Sequence, residues 1–302
     1  IYFKSNFLLK YGWSFGLFIY LFKNLKNHEN IIINGVTNFP LFLGIVLSNF
    51  FKKNVYIFTR GGLEVSRVNE WSLSKRYYYK LNIYFLDLIN KNNKLTLVYQ
   101  SQDEKNKSNV SSQKAIICSN YSEDFFKNYN KDFTNLNVLY VGRFSPEKGS
   151  VRLLELMEFF SENDTHNNTL SLAIASNDEV EELQKYASCK NIFIQYNLDK
   201  NELSNLYQNS NVIFFPSYKE NFGNALVEGV ASGLLPIVYE DTHWSVLLES
   251  KPSLSEFFLK NELSKSSRDL NLYKLKFVES KKIILDNFIR GKDFKSLLEL
   301  IR

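Results

Sequence analysis

Cysteine is nearly absent: Cys118 and Cys189 are the whole complement, one in each half of the chain and each within or beside an apolar pattern. That scarcity excludes a disulfide framework or a thiolate metal centre, and it fits a reducing cytoplasm. Histidine is equally scarce. His28, His166 and His243 stand far apart, with no HxH or HExxH spacing, so a histidine-based zinc site is not expected. Long apolar runs are missing as well. FGLFIYLF (15–22) and FPLFLGIVL (39–47) fall well short of the roughly 20 residues that cross a bilayer, which points to a soluble or peripheral protein. There is no basic, apolar, small-residue leader pattern, and the first residue is Ile rather than Met. No internal repeat of fixed period stands out.

What is present is uneven in charge. Residues 1–136 carry 18 Lys+Arg against 9 Asp+Glu, whereas residues 137–302 are net acidic. No Lys/Arg run in the basic half exceeds two residues, which does not resemble a nucleic-acid tract. An anionic membrane surface, an acidic substrate or simply scattered solvated lysines remain as readings. With 302 residues and 44% hydrophobic content, two domains of ordinary size are expected, each with its own core.

The hydrophobic patterning predicts strand and helix in alternation. In the first half, helices are expected at 14–26, 41–53 and 71–92, and strands at 29–35, 54–62, 95–101 and 114–120. The stretch DEKNKSNVSSQ (103–113) reads as an exposed, mobile polar loop. A polar segment over 122–136 reads as the interdomain connection. The second series is cleaner. It has strands at 137–143, 170–176, 191–197, 211–217 and 234–240, with helices at 150–163, 180–188, 200–210 and 223–233, and Lys-rich helices after residue 255. Apolar strands separated by amphipathic helices imply parallel sheets covered on both faces, which bind ligands beyond the carboxyl ends of their strands.

Three segments of the second half fall at such strand ends. In VGRFSPEKG (141–149), Gly142 and Arg143 close a strand and Lys148 opens a helix. The fork of an Arg and the point charge of a Lys suit a diphosphate, although a loop with two solvated cations reads the same way. In KENFGNALVEG (219–229), Phe222, Gly223, Asn224 and Ala225 open a helix whose first N–H groups favour an anion. Glu220 and Glu228 flank that mouth. A carboxylate beside a phosphate would be repelled, so both suit neutral sugar or ribose hydroxyls. Helix-dipole complementation explains Glu220 equally well, and ordinary exposure explains Glu228. Polar and aromatic residues in QYN (195–197) and EDTHW (240–244) could hold a base or a sugar, or could be loop filler.

The order VGRFSPEKG, then NVIFFPSYKENFGNALVEGVASGLLPIVYEDTHW, resembles retaining glycosyltransferase family 4, with Glu220 and Glu228 matching its E-x7-E motif. More weakly, TRGGL (59–63) is similar to the family's PRGML segment, VYQSQDEK (98–105) to its TSxxE segment, CSNY (118–121) to its PNG turn and DTHW to its tPW segment. The resemblance implies an α/β GT-B fold, two Rossmann-like domains facing each other across a cleft. It places an acceptor-side domain over 1–130 and a nucleotide-sugar domain over 131–302. It further implies Arg143 and Lys148 on the donor diphosphate, with Gly142 in the same turn, and Glu220 on the transferred sugar. Backbone groups of Phe222, Gly223, Asn224 and Ala225 would contact the phosphates or sugar, and Glu228 the ribose. No metal and no cofactor is implied; the donor is a nucleotide sugar, with UDP the expected base carrier. The acceptor is a glycan or a lipid-linked molecule. An envelope or surface-polysaccharide role, cytoplasmic and peripheral on an anionic inner membrane face, completes the expectation, with no nucleic-acid partner.

The chain departs from the family pattern at its start. No Gly-rich loop after an opening strand precedes residue 14, and Asn34 stands where the family often carries a strand-end histidine, which predicts an N-terminally incomplete first domain. The rival reading is a non-catalytic GT-B-like binding or scaffold subunit. An unrelated doubly wound phosphate-binding protein is a third.

Overall fold

The computed structural model describes residues 15–35, 39–63, 72–108, 110, 114–118, 131–132, 135–162, 168–176, 180–218, 220, 222–239 and 244. These fall into two units, one up to Cys118 and one from Lys131 onward. The helices expected after residue 255, and most of the connection expected over 122–136, lie outside the described residues.

The first unit is a parallel sheet of β1 (Asn30–Asn34), β2 (Asn54–Phe58), β3 (Leu95–Tyr99) and β4 (Lys114–Ile117), neighbours in chain order. Its register pairs Asn30 with Asn54, Val55 with Leu95 and Thr96 with Lys114. Helices α1 (Phe15–Asn24), α2 (Phe39–Phe50) and α3 (Leu73–Lys91) alternate with the strands, as the patterning predicts. In α3, Tyr79, Leu86 and Ile89 share a helical face and are buried, while the intervening charged residues give the helix its wet side. They join Ile45, Val55, Ile57, Leu95 and Leu97 in one core. Strand β3 is buried along its whole length, as expected of a strand between two others in a parallel sheet.

The polar stretch after β3 is not the loop its composition predicts. Gln102–Lys107 form a short helix, α4, capped by Ser101, whose Oγ accepts the Glu104 N–H at 3.1 Å. Glu104 itself is only 2% exposed. Its carboxylate accepts from Thr59 Oγ1 (2.5 Å), from Gln100 N (2.6 Å) and from Gly61 N. Burial of a charge requires such donors, and they come from two different strand ends, which composition alone does not reveal.

The second unit holds β5 (Asn137–Gly142), β6 (Thr169–Ile174), β7 (Ile192–Tyr196), β8 (Val212–Phe215) and β9 (Leu235–Val238). All pairings are parallel, in the order β7-β6-β5-β8-β9. The order reverses between β5 and β8, which is the doubly wound arrangement and opens a crevice at their carboxyl ends. Between the strands run α5 (Ser150–Glu162), α6 (Glu181–Gln184), α7 (Lys200–Asn209) and α8 (Asn224–Ala231). Helix α6 is shorter than the stretch 180–188 predicted. Leu153, Leu156, Met157 and Phe160 of α5 repeat at helical spacing and pack into the core with Leu139, Leu172 and Ile213. Asp199 and Glu202 close a reciprocal capping box at the start of α7. At the foot of the sheet, Asn211 Nδ2 donates to the carbonyls of Asp132 and Asn135, and its Oδ1 accepts from Asn137 N at 2.9 Å. No helix among the described residues is long and apolar enough to cross a membrane.

Candidate functional site

The reversal between β5 and β8 brings two of the candidate segments together. After Gly142, the chain turns through a 3₁₀ turn, Pro146–Lys148, into Gly149, which begins the path into α5. That turn is pressed onto the residues following β8. Tyr218 N donates to Glu147 O at 3.0 Å, and a Cβ on Gly149 would lie 2.2 Å from Pro216 O. Gly149 has φ +77, so glycine is required there both by backbone conformation and by the closeness of another main chain.

This docking carries Lys148 to Glu220. Lys148 Nζ donates to Glu220 Oε2 in an ion pair between side chains only 21% and 16% exposed. Arg143, at the strand end, is exposed and lies 3.9 Å from the equally exposed Glu147. Beneath them Tyr140 Oη donates to Arg143 O at 2.7 Å. Burial and then the charge of Glu220 hold the Tyr140 hydroxyl well above its ordinary range, with Arg143 acting the other way.

Gly223 is the N-cap of α8, with φ +88. A Cβ there would meet the Phe215 ring at 2.8 Å, Trp244 Nε1 at 3.1 Å and Glu220 Cγ at 3.4 Å, so the helix mouth lies directly against the Glu220 side chain. Phe222 is buried, its carbonyl accepting from Trp244 Nε1 at 2.6 Å and its ring edge-on to the indole at 5.7 Å. Asn224 is exposed in the first turn and Ala225 half-buried.

Glu228 stands one turn further in and has a different partner. The fully buried Tyr207 of α7 donates from Oη toward Glu228 Oε2 (3.1 Å) and Ala225 O (3.3 Å). Burial pushes the Glu228 carboxyl up to about 7, while the Tyr207 hydrogen bond and the charge of Lys200 pull it down. Burial and then the Glu228 charge push the Tyr207 hydroxyl well up.

Two residues of the site were not singled out by their sequence context. Tyr207 looks like one more apolar position of NELSNLYQNS. Arg152 lies on α5, one turn beyond Lys148. Its guanidinium is 3.8 Å from the centroid of the Tyr218 ring and 3.6 Å from that of Tyr239, and Nη1 donates to Pro216 O at 3.2 Å. The stack ties the start of α5 to the loop that carries Glu220. Of the flanking segments, Gln195 and Tyr196 end β7 and Asn197 follows in the left-handed region, its amide donating to Ser176 O. Of EDTHW only Trp244 is described.

Residues 121–249, which contain the whole of this site, match the family model for glycosyl transferases group 1. The described architecture matches solved structures over nearly its whole length. Sucrose-phosphate synthase from Thermosynechococcus elongatus is 16% identical, with TM-score 0.64, covering 94% of this chain and 76% of that one. A variant of S. aureus TarM, in complex with fondaparinux, alpha-GlcNAc-glycerol and UDP, is 15% identical, with TM-score 0.65, covering 95% and 58%. The pneumococcal O-GlcNAc transferase GtfA, in complex with UDP and GlcNAc, is 13% identical, with TM-score 0.64, covering 93% and 58%. The chain thus spans about three quarters of the first of these and under two thirds of the other two. Among curated proteins none is similar enough in sequence to count as a match. The fold is GT-B, and the site lies within the stretch that matches the family model for glycosyl transferases group 1.

Proposed function

We propose that the chain is a retaining glycosyltransferase of family 4 type that moves a hexosyl unit from a UDP-sugar to a glycan or lipid-linked acceptor. The observation that carries this reading is the Lys148–Glu220 pair, set against the Gly223 helix mouth at the reversal point of the second sheet. A cation for phosphate oxygens, a carboxylate for sugar hydroxyls and an N-terminal helical turn occupy one place, as a nucleotide sugar requires. The complexes of TarM and GtfA with UDP support the choice of base.

In this reading Arg143 and Lys148 bind the donor diphosphate, and backbone groups of Phe222 to Ala225 face the phosphates or sugar. Glu220 accepts hydroxyls of the transferred hexose, and Glu228, the second glutamate of the E-x7-E motif, accepts the ribose hydroxyls. The bond from the anomeric carbon to the diphosphate oxygen breaks, and the departing diphosphate takes the electron pair. Its oxygen draws the proton from the acceptor hydroxyl, which bonds to the anomeric carbon on the face just vacated. Lys148 and Arg143 hold the negative charge that grows on the leaving group. The acceptor is assigned to the first unit, whose basic balance favours acidic or membrane-attached molecules and a place at an anionic inner membrane face in envelope or surface-polysaccharide synthesis.

Titration of the purified protein with UDP-, GDP- and ADP-sugars tests this. Binding of the UDP-sugar, lost in the Arg143→Ala, Lys148→Ala double variant, is expected. Failure of all three to bind, or binding unchanged in the double variant, removes the donor site.

A further inference from the structure

We infer that the outer face of α1 and the end of α2 dock the protein on a bilayer surface that carries anionic phospholipid. The inference rests on the membrane placement proposed above and deepens it by naming the surface and its lipid chemistry. Helix α1 reads FGLFIYLFKN, and its inner side is already packed, Leu21 lying against the cluster of Leu25, Leu43 and Leu47. A helix packed on one side is expected to turn polar residues to the other. Here Phe18, Ile19, Tyr20 and Phe22 are exposed instead, Phe22 by 45%. Phe18 stacks on Phe22 at 6.0 Å, and Phe22 meets Phe50 at 6.5 Å and Phe51 at 5.4 Å. Phe50, the last residue of α2, is 68% exposed. The rings thus form one apolar patch across two helices, and contiguous patches, unlike single exposed side chains, mark interaction sites.

Charge decides the kind of partner. Residues 15–28 and 39–54 contain four lysines and no Asp or Glu, with Glu29 following at the entry to β1. Lys23, Lys26 and Lys52 are exposed and Lys53 half-buried. Helix α2 ends with Lys53 N donating back to Ser48 O at 2.9 Å and Lys52 at φ 53, a turn that sets Lys52 and Lys53 directly beside Phe50 and Phe51. Lys53 Nζ then donates to Lys26 O at 2.9 Å, which brings the lysines of the two segments to one border of the patch. A second copy docked through the same face would set these lysines against their own equivalents. An anionic bilayer meets both halves of the surface: headgroup phosphates take the lysines while the rings enter the boundary of the hydrocarbon, with no shape complementarity required. At 10 residues, α1 is about 15 Å long, roughly half the hydrocarbon core, so it lies along the interface and does not cross it.

The test is co-sedimentation of the full chain with vesicles of phosphatidylglycerol and phosphatidylcholine in equal parts, and with vesicles of phosphatidylcholine alone. Binding to the anionic vesicles only is expected, weakening as salt rises. Partitioning should fall about hundred-fold in the Lys23→Gln, Lys26→Gln, Lys52→Gln triple variant, roughly five-fold per charge, and at least about ten-fold in the Phe22→Ser, Phe50→Ser double variant. Should the aromatic variant lose stability, Phe50→Trp replaces it; an indole favours the bilayer interface, so binding should tighten. No binding to anionic vesicles, equal binding to neutral ones, or a loss confined to the lysine or to the aromatic variant would each overturn the surface. So would unchanged or weaker binding in Phe50→Trp, or a dimer in ultracentrifugation that both variants dissolve. UDP-sugar affinity, measured on the same variants, should stay level. Lost vesicle binding with UDP-sugar binding intact removes this surface and leaves the donor site standing, and the converse result removes the donor site alone.

Discussion

Lys148 and Glu220 lie 72 residues apart in sequence and form a largely buried ion pair at the point where the second sheet reverses. The pair joins the turn after β5 to the loop after β8, so the group suited to the diphosphate and the group suited to the hexose are held by each other before a ligand arrives. Removing either partner leaves the other with a desolvated charge.

Lys148→Ala is therefore expected to weaken UDP-sugar binding about ten- to hundred-fold, the effect of one charge-assisted hydrogen bond. Glu220→Gln should nearly abolish turnover with binding largely kept. Calorimetry with a UDP-sugar and a turnover assay separate the two; a Glu220→Gln enzyme that turns over normally excludes the sugar-binding role.

Gly149→Ala should destabilise the second unit by about 3 kcal/mol, since a Cβ would lie 2.2 Å from a carbonyl oxygen at a backbone φ of +77. Main chain, unlike a flexible side chain, has little room to yield. Denaturant unfolding measures the loss, and an unchanged midpoint would contradict the close approach of turn and loop.

Arg152→Met keeps the side-chain bulk but removes the cation from between Tyr218 and Tyr239. A loss of about 1–2 kcal/mol in stability is expected. The loop bearing Glu220 should also loosen, so kcat falls more than donor affinity. Equal stability and equal kcat would make the stack incidental.

In the proposed reading Glu228 contacts the donor ribose, and donor binding should then depend on pH. Its carboxyl is raised to about 7 from an ordinary 4.5, so its contribution to stability is fully present below pH 4.5 and is lost as pH rises through 7. The loss amounts to as much as roughly 3 kcal/mol. Glu228→Gln should accordingly raise the Tm at pH 8 and leave it nearly unchanged at pH 4.5. Ribose hydroxyls donate to the ionised form, so UDP-glucose, whose phosphates do not titrate near neutrality, should bind more tightly as pH rises through 7 and release a proton below it. Calorimetry in buffers of different ionisation enthalpy detects that proton; a flat profile that Glu228→Gln leaves unaltered would deny Glu228 contact with the nucleotide.

The alternation of strand and helix was legible in outline, from Asn30–Asn34 through Leu235–Val238, with bounds off by a few residues and the helix Gln102–Lys107 missed, because periods of 2 and 3.6 are local properties of the chain. So were the candidate residues themselves, since Gly142, Arg143, Lys148 and Gly223 sit at strand ends and helix starts that the same periods locate. The clearest failure was the stretch beginning at Asp103. A run of polar residues reads as solvated unless the donors that receive its carboxylate are known, and those of Glu104 include Thr59 and Gly61, more than 40 residues earlier.

By itself, then, the sequence determined two series of β and α elements, a basic and an acidic half, and which polar groups stand at strand ends. Only the tertiary structure decided how those groups meet: Lys148 with Glu220, Glu228 with Tyr207 rather than with solvent, and Arg152 between two tyrosines. The reason is physical. Secondary structure follows from the spacing of neighbouring residues. A contact across 72 residues depends on which strand lies beside which, and that order is chosen by the packing of both faces of the sheet at once.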